Sequence, residues 1–149
     1  MKTVLEQLAD FIKESEEKHV HNLWLGDDTM RVYVRKGRHM VYPGKLSTTL
    51  DIASVEVDED KQGQGIFTDF LDKAHEMNPW EATYIENVLN PVLAASMIRH
   101  GWLPVPNAYP ESFFMPKDVG KYYDQQFLER KLKCPQNKPP AWGVSSTLR

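Results

Sequence analysis

Between Leu50 and Ala74 the hydrophobic period changes once, and the change is bridged by an acidic loop carrying two glycines. From Leu50 to Val57 apolar residues alternate as one buried face of a strand requires, with Leu50, Ile52, Val55 and Val57 in the set. The phase slips by one between Ile52 and Val55, which is the signature of a β-bulge. After the loop 58–65, residues Ile66, Phe67, Phe70, Leu71 and Ala74 mark a helical face that ends at Asn78-Pro79. Strand, loop and helix in that order call for a sheet with helices packed on it.

The flanking segments extend this unit. Val4, Leu5, Leu8, Phe11 and Ile12 form one helical stripe over residues 3–18, with Thr3 as N-cap and Glu6 completing a capping box. Alternation in Arg31-Val32-Tyr33-Val34-Arg35, followed by Lys36-Gly37, reads as two hairpin strands over residues 30–41, closed by Pro43-Gly44. Tyr84 to Val88 reads as a short strand. Asn90-Pro91 opens a further helix that stops at Gly101, with proline in the first turn, where its missing N–H costs little. Residues 103–116 hold four prolines around a strand-like Ser112-Phe113-Phe114-Met115. Val119 to Lys133 looks helical, and the tail 134–149 has three prolines and no apolar period. One domain over residues 1–133 and an extended tail follow.

At 149 residues, 41% hydrophobic and 26% charged, the chain can bury a core without disulfides or a structural metal. Its apolar runs are too short to span a membrane, and Glu6 and Asp10 stand where a signal peptide would be basic and then apolar, which places the protein in the cytoplasm. The lone Cys134 has no internal disulfide partner. His19, His21, His39, His75 and His100 show no metal-ligand spacing, and no nucleophile-elbow motif is present, so no metal is expected. Residues 30–49 carry five basic side chains and no acidic one, whereas residues 50–90 carry ten acidic side chains against Lys61 and Lys73. An anion-attracting segment thus precedes a cation-attracting one, although both patterns also suit solvated faces.

The loop Gln62-Gly63-Gln64-Gly65 concentrates the chemistry. Its glycines let the backbone turn with several N–H groups pointing one way, and the helix that follows adds the partial positive charge of its N-terminus. A pyrophosphate fits such a site; an ordinary tight turn has the same residues. A P-loop is excluded because no Gly-Lys-Ser/Thr follows, and a dinucleotide fingerprint because Thr68 stands where a third glycine is needed.

From Leu50 to Trp102 the chain resembles the GCN5-related N-acetyltransferase superfamily. The family signature Gln/Arg-x-x-Gly-x-Gly/Ala is met by Gln62 and Gly65, with Phe67 in the last place, where the family has a small residue. Asp51 stands eleven residues upstream, where many members carry an acid on the fourth strand, and Asn90 with Gly101-Trp102 meets the pattern that follows the fifth. The resemblance implies an α/β (α+β) fold with a mixed, mostly antiparallel sheet, splayed between strands four and five and flanked by helices. It implies acetyl-CoA as co-substrate, its pantetheine arm paired with the backbone of Val55, Glu56 and Val57 and its pyrophosphate on the amides of Gln62, Gly63, Gln64, Gly65, Ile66 and Phe67. Asn90 would meet the arm from the other side. Met97 occupies the place where many relatives have a proton-donating tyrosine, and a thioether donates no proton.

The implied activity is transfer of an acetyl group to an amine by direct attack in a ternary complex. A lysine-like acceptor, with a solution pKa of about 10.4, must lose a proton first. Glu86 and Asp51 are the favoured pair for this, flanking the splay. Glu56 is a further candidate, set on the opposite face from Asp51 unless the bulge realigns them. Tyr84 or Tyr109 could protonate the departing thiolate. The acceptor would be an amine-bearing small molecule or protein, and the chain a monomer or homodimer. Two alternatives stand beside this: a non-catalytic module that binds acyl-CoA or a protein, and acetylation of a nucleic-acid-linked amine, with Arg31, Arg35, Lys36 and Arg38 on phosphates beside Tyr33 and Tyr42.

Overall fold

The computed structural model describes residues 2–124 apart from 19, 43–44, 89, 107, 109–110 and the side chain of Tyr42. The expected Pro43-Gly44 turn, Tyr109, the part of the expected C-terminal helix beyond residue 124, and the tail with Cys134 lie outside the described residues. The elements run α1 (Val4–Glu17), β1 (Asn22–Gly26), β2 (Met30–Tyr42), β3 (Lys45–Val57), α2 (Ile66–Met77), β4 (Ala82–Ile85), α3 (Pro91–Arg99), β5 (Leu103–Pro104) and β6 (Phe113–Pro116). Helical geometry resumes at residues 119–124.

The six strands lie in the order β1-β2-β3-β4-β6-β5, and every pairing is antiparallel except the parallel pair β3–β4. This is the mixed, mostly antiparallel sheet expected. The two strands expected as fourth and fifth are third and fourth among the described elements. The bulge is also present: Val34 faces Ile52 and Tyr33 faces Ser54, leaving Ala53 as the extra residue. That insertion sets Ile52 and Val55 opposite the buried Val34 and Val32, so one sheet face stays apolar across the slip.

That face packs on the helices. In α1 the Thr3 hydroxyl accepts from the Glu6 amide at 3.2 Å, the Glu6 carboxylate accepts from the Thr3 amide at 2.8 Å, and Leu8 and Phe11 point inward from the next turns. They join Val32, Leu50, Ile52, Phe70, Leu71, Met97 and Phe113 in the main core. Each such buried side chain contributes about 1.5–3 kcal/mol. On the opposite face a smaller cluster of Val41, Ala82, Phe114 and Tyr122 covers one end, and among the described residues the other end of that face is left for a site.

Two expectations need correction. Residues 30–41 do not form a hairpin: β2 runs unbroken through Lys36-Gly37, and its outer neighbour is β1. The glycine serves close approach instead of a turn, because a Cβ at Gly37 would stand 2.0 Å from Asp51 Oδ2. The strand expected at 84–88 is Ala82–Ile85, since Glu86 already leaves the ladder and Asn87 turns the chain away with φ 56°. No helix among the described residues is long and apolar enough to cross a membrane.

His75, near the end of α2, makes a bond of 2.8 Å between Nδ1 and Thr83 Oγ1 and packs edge-on to Trp102. Burial, followed by the charge of Lys117, pulls its pKa down to about 4 from 6.5, against a weaker upward pull from Asp72. The folded form therefore keeps the ring neutral while the unfolded chain takes up a proton below pH 6.5. Stability present above pH 6.5 is lost as pH falls toward 4, by about 1–2 kcal/mol once the partial exposure of the ring is allowed for. In urea denaturation at pH 7 and pH 4.5, His75→Gln is expected to lose less stability between the two than the parent. Equal losses would show that other groups carry the acid sensitivity.

Candidate active site

β3 and β4 pair only from Thr49–Ala82 to Ile52–Ile85. A last hydrogen bond, from the Glu86 amide to the Ile52 carbonyl at 3.2 Å, ends the contact between the strands. Beyond it β3 continues to Val57 while paired only with β2 among the described residues, so the backbone of Ser54 to Val57 has an open side. The gap leads to the glycine loop. Gly63 and Gly65 have φ of 79° and 75°, a region open to glycine at no steric cost. The Gln62 side chain donates to the Val57 carbonyl at 3.0 Å and that of Gln64 to the Asp60 carbonyl at 3.1 Å, so both glutamines brace the turn. Gly65 is the N-cap of α2 and offers no side-chain cap, which leaves the first amides of the helix to a ligand or water.

Phe67, in the place where the family has a small residue, is half-buried and packs against the main core. Asn90 caps α3, its Oδ1 accepting from Val92 and Leu93 amides at 2.9 and 3.3 Å, which leaves its Nδ2 as the donor for a ligand. Met97 is 2% exposed and belongs to the core.

Asp51 and Glu86 come together at the mouth of the gap, with partners the sequence did not suggest. Arg35, Gly37 and His39 share one face of β2, and the Asp51 carboxylate lies over Gly37, between the other two. Asp51 Oδ1 accepts from Thr49 Oγ1 at 2.6 Å; Oδ2 lies 3.0 Å from His39 Nε2 and 3.5 Å from Arg35 Nη2. Arg35 Nη2 also donates to both oxygens of Glu86. Burial lowers the Arg35 pKa, but the Glu86 hydrogen bond and the charges of Glu86 and Asp51 outweigh it, and the net shift is upward. The His39 ring stacks on Tyr84, 3.6 Å between centroids and 4° from parallel. Donor atoms of His39, Asp51 and Glu86 lie within 4.8 Å of one another, close enough to hold a cation, and the Arg35 guanidinium is a cation already placed among them.

Burial raises the Tyr84 pKa, helped by the charges of Glu86 and Asp51 and opposed by its bond to Ser112. The hydroxyl therefore keeps its proton. The bulge does put Glu56 on the Asp51 face, but Glu56 sits opposite Arg31 whereas Asp51 sits opposite Arg35, and Glu56 pairs with Arg31 at 3.2 Å. The two carboxylates are thus not a pair. Most of the basic segment is matched by acids: Lys36 reaches Glu16 at 3.0 Å on the other face, and Lys45, at the start of β3, reaches Glu81 at 3.1 Å. Arg31 also lies 4.4 Å over the ring of Trp24.

By sequence the chain matches no protein-family model and no curated protein. It does match solved structures. AtaT complexed with acetyl-methionyl-tRNAfMet is 12% identical with a TM-score of 0.53, over 80% of this chain and 84% of that one. A tyrosine-to-phenylalanine mutant of the AtaT toxin, bound to the C-terminus of the antitoxin AtaR and acetyl-CoA, is 13% identical with a TM-score of 0.51, over 83% and 84%. At this identity the likeness is one of architecture, and with the bulged strand, the splay and the glycine loop it establishes that the chain has the fold of the GCN5-related N-acetyltransferases.

Proposed function

We propose that the chain is an acetyl-CoA-dependent N-acetyltransferase that acts on a cationic amine. The observation that carries this reading is the gap between β3 and β4 leading to a glycine loop and a helix N-terminus without a side-chain cap. The open backbone at Val55, Glu56 and Val57 suits a pantetheine arm, which carries amide groups that pair like a strand. The amides from Gln62 to Phe67 suit its pyrophosphate. Acetyl-CoA in the AtaT mutant structure supports the same ligand. Glu86 and Asp51 bring negative charge to the mouth of the gap, where an ammonium group would enter, and Tyr84 keeps a proton for the leaving thiolate. A cytoplasmic location goes with this reading.

A non-catalytic acyl-CoA module is the second reading, favoured by the buried Met97. A nucleic-acid-linked amine is suggested by the acetyl-methionyl-tRNAfMet that AtaT holds, but three of its four phosphate candidates, Arg31, Arg35 and Lys36, are engaged in ion pairs, which leaves Arg38 to carry a phosphate track.

Calorimetry with acetyl-CoA and with CoA tests the cofactor site. Micromolar binding of both is expected. Gly65→Ala imposes the backbone strain of a positive φ alone, and Gly65→Glu adds a negative charge. The glutamate variant is expected to bind at least tenfold more weakly than the alanine variant, about 1.4 kcal/mol. No binding by the parent protein would sink the acetyltransferase reading.

A further inference from the structure

We propose that His39 is the group that takes the proton from the amine, with Asp51 as its positioning partner. This rests on the acetyl-transfer reading and assigns a role within that site.

The acids of the cluster are already engaged. Asp51 is 2% exposed, and Thr49, His39 and Arg35 surround its two oxygens, so neither faces a substrate. Glu86 would have to give up its ion pair with Arg35 to accept a proton. Glu56 is engaged with Arg31, farther along the β2–β3 ladder. His39 differs from all three. Its ring is held flat on Tyr84, its side chain is about as open as that of Glu86, 26% against 22%, and Asp51 engages only one of its two nitrogens, Nε2. In the neutral ring, an Nε2 that donates to this carboxylate leaves the lone pair on Nδ1. Among the described residues, the charged and titratable groups around the ring are Asp51 from β3, Glu86 and Tyr84 from β4 and its end, and Arg35 from β2.

In the transfer, the ammonium gives one proton to His39 Nδ1, which passes it to water. The freed nitrogen pair forms the C–N bond at the thioester carbonyl, the C–S bond breaks with its pair on sulfur, and the second proton of the nitrogen ends on sulfur as the thiol. The Tyr84 hydroxyl can relay that second transfer.

The test follows thiol release from acetyl-CoA with two probe amines. Butylamine is an ammonium ion at neutral pH and needs a base, whereas hydroxylamine is already unprotonated and does not. His39→Ala is expected to lower kcat/KM for butylamine by about 10²–10³-fold and to leave hydroxylamine nearly unaffected, and added imidazole is expected to restore part of the butylamine rate. His39→Asn keeps a donor for Asp51 Oδ2 and should hold the fold while failing with butylamine. Equal losses for both amines without imidazole rescue, or full butylamine activity in His39→Asn, would overturn the assignment. No enzyme-dependent thiol release by the parent protein with either amine would overturn acetyl transfer itself, and the role of His39 with it.

Discussion

Gly37→Ala is expected to destabilise the protein by about 3 kcal/mol, the sum of local overpacking and a disturbed buried ion pair. The added methyl would sit 2.0 Å from Asp51 Oδ2 and 2.6 Å from Cγ, distances no packing tolerates, so the carboxylate must leave. It cannot leave cheaply. Three donors converge on it from Thr49, His39 and Arg35; Thr49 and His39 would lose their acceptor, and Arg35 would keep only Glu86. Gly26→Ala is the control, because its Cβ would come tight only against the flexible Arg31 side chain at 3.3 Å, with the Met30 carbonyl at an ordinary 3.8 Å, and a cost under about 1 kcal/mol is expected there. Urea denaturation of both variants measures the difference. Equal midpoints would show that the Asp51 carboxylate has an alternative place to go.

The second large effect is expected for Asp51→Asn, in the rate of transfer to an alkylamine, which should fall by about 10²–10⁴-fold. The substitution keeps the shape, and an amide oxygen can still accept from Thr49. Its NH₂ group would then face His39 Nε2. To meet a donor that nitrogen must become an acceptor, which moves the ring hydrogen to Nδ1 and removes the lone pair assigned to the substrate. Arg35 would also keep only Glu86 as counter-charge. Thr49→Val removes one hydrogen bond to Asp51 and leaves the tautomer alone, so its loss should stay below about tenfold. Steady-state rates on correctly folded variants settle the matter, and an Asp51→Asn protein with the parent rate would remove Asp51 from the mechanism.

The parts of the fold legible in the sequence are those written locally. The capping box at Thr3 and Glu6, the helix face from Ile66, the Asn90-Pro91 start and the bulge between Ile52 and Val55 all depend on neighbours a few residues apart, and all are present. Gly37 suggests a hairpin because a glycine after a strand pattern looks the same whether it turns the chain or makes room for a carboxylate from the next strand. β1 leaves little trace because it is an edge strand, with Leu23 and Trp24 44% and 42% exposed and no clean alternation to detect. In the candidate site, Asp51 and Glu86 are legible through their place in the acidic segment and the family pattern. The part played there by His39 and Arg35 is not, since their link to Asp51 is fixed by strand register, which a single sequence does not print.

The placement of Arg35, Gly37 and His39 on alternate positions of one strand, facing Thr49 and Asp51 on the next, amounts to a searchable signature: Arg-x-Gly-x-His followed by Thr-x-Asp. What the arrangement requires is the β2–β3 register, so a change in the connection between the two strands that keeps this register leaves the signature intact. Insertion of a single residue inside either triplet would instead send the following side chain to the helix-packed side of the sheet, so variation should be plentiful between the triplets and absent within them.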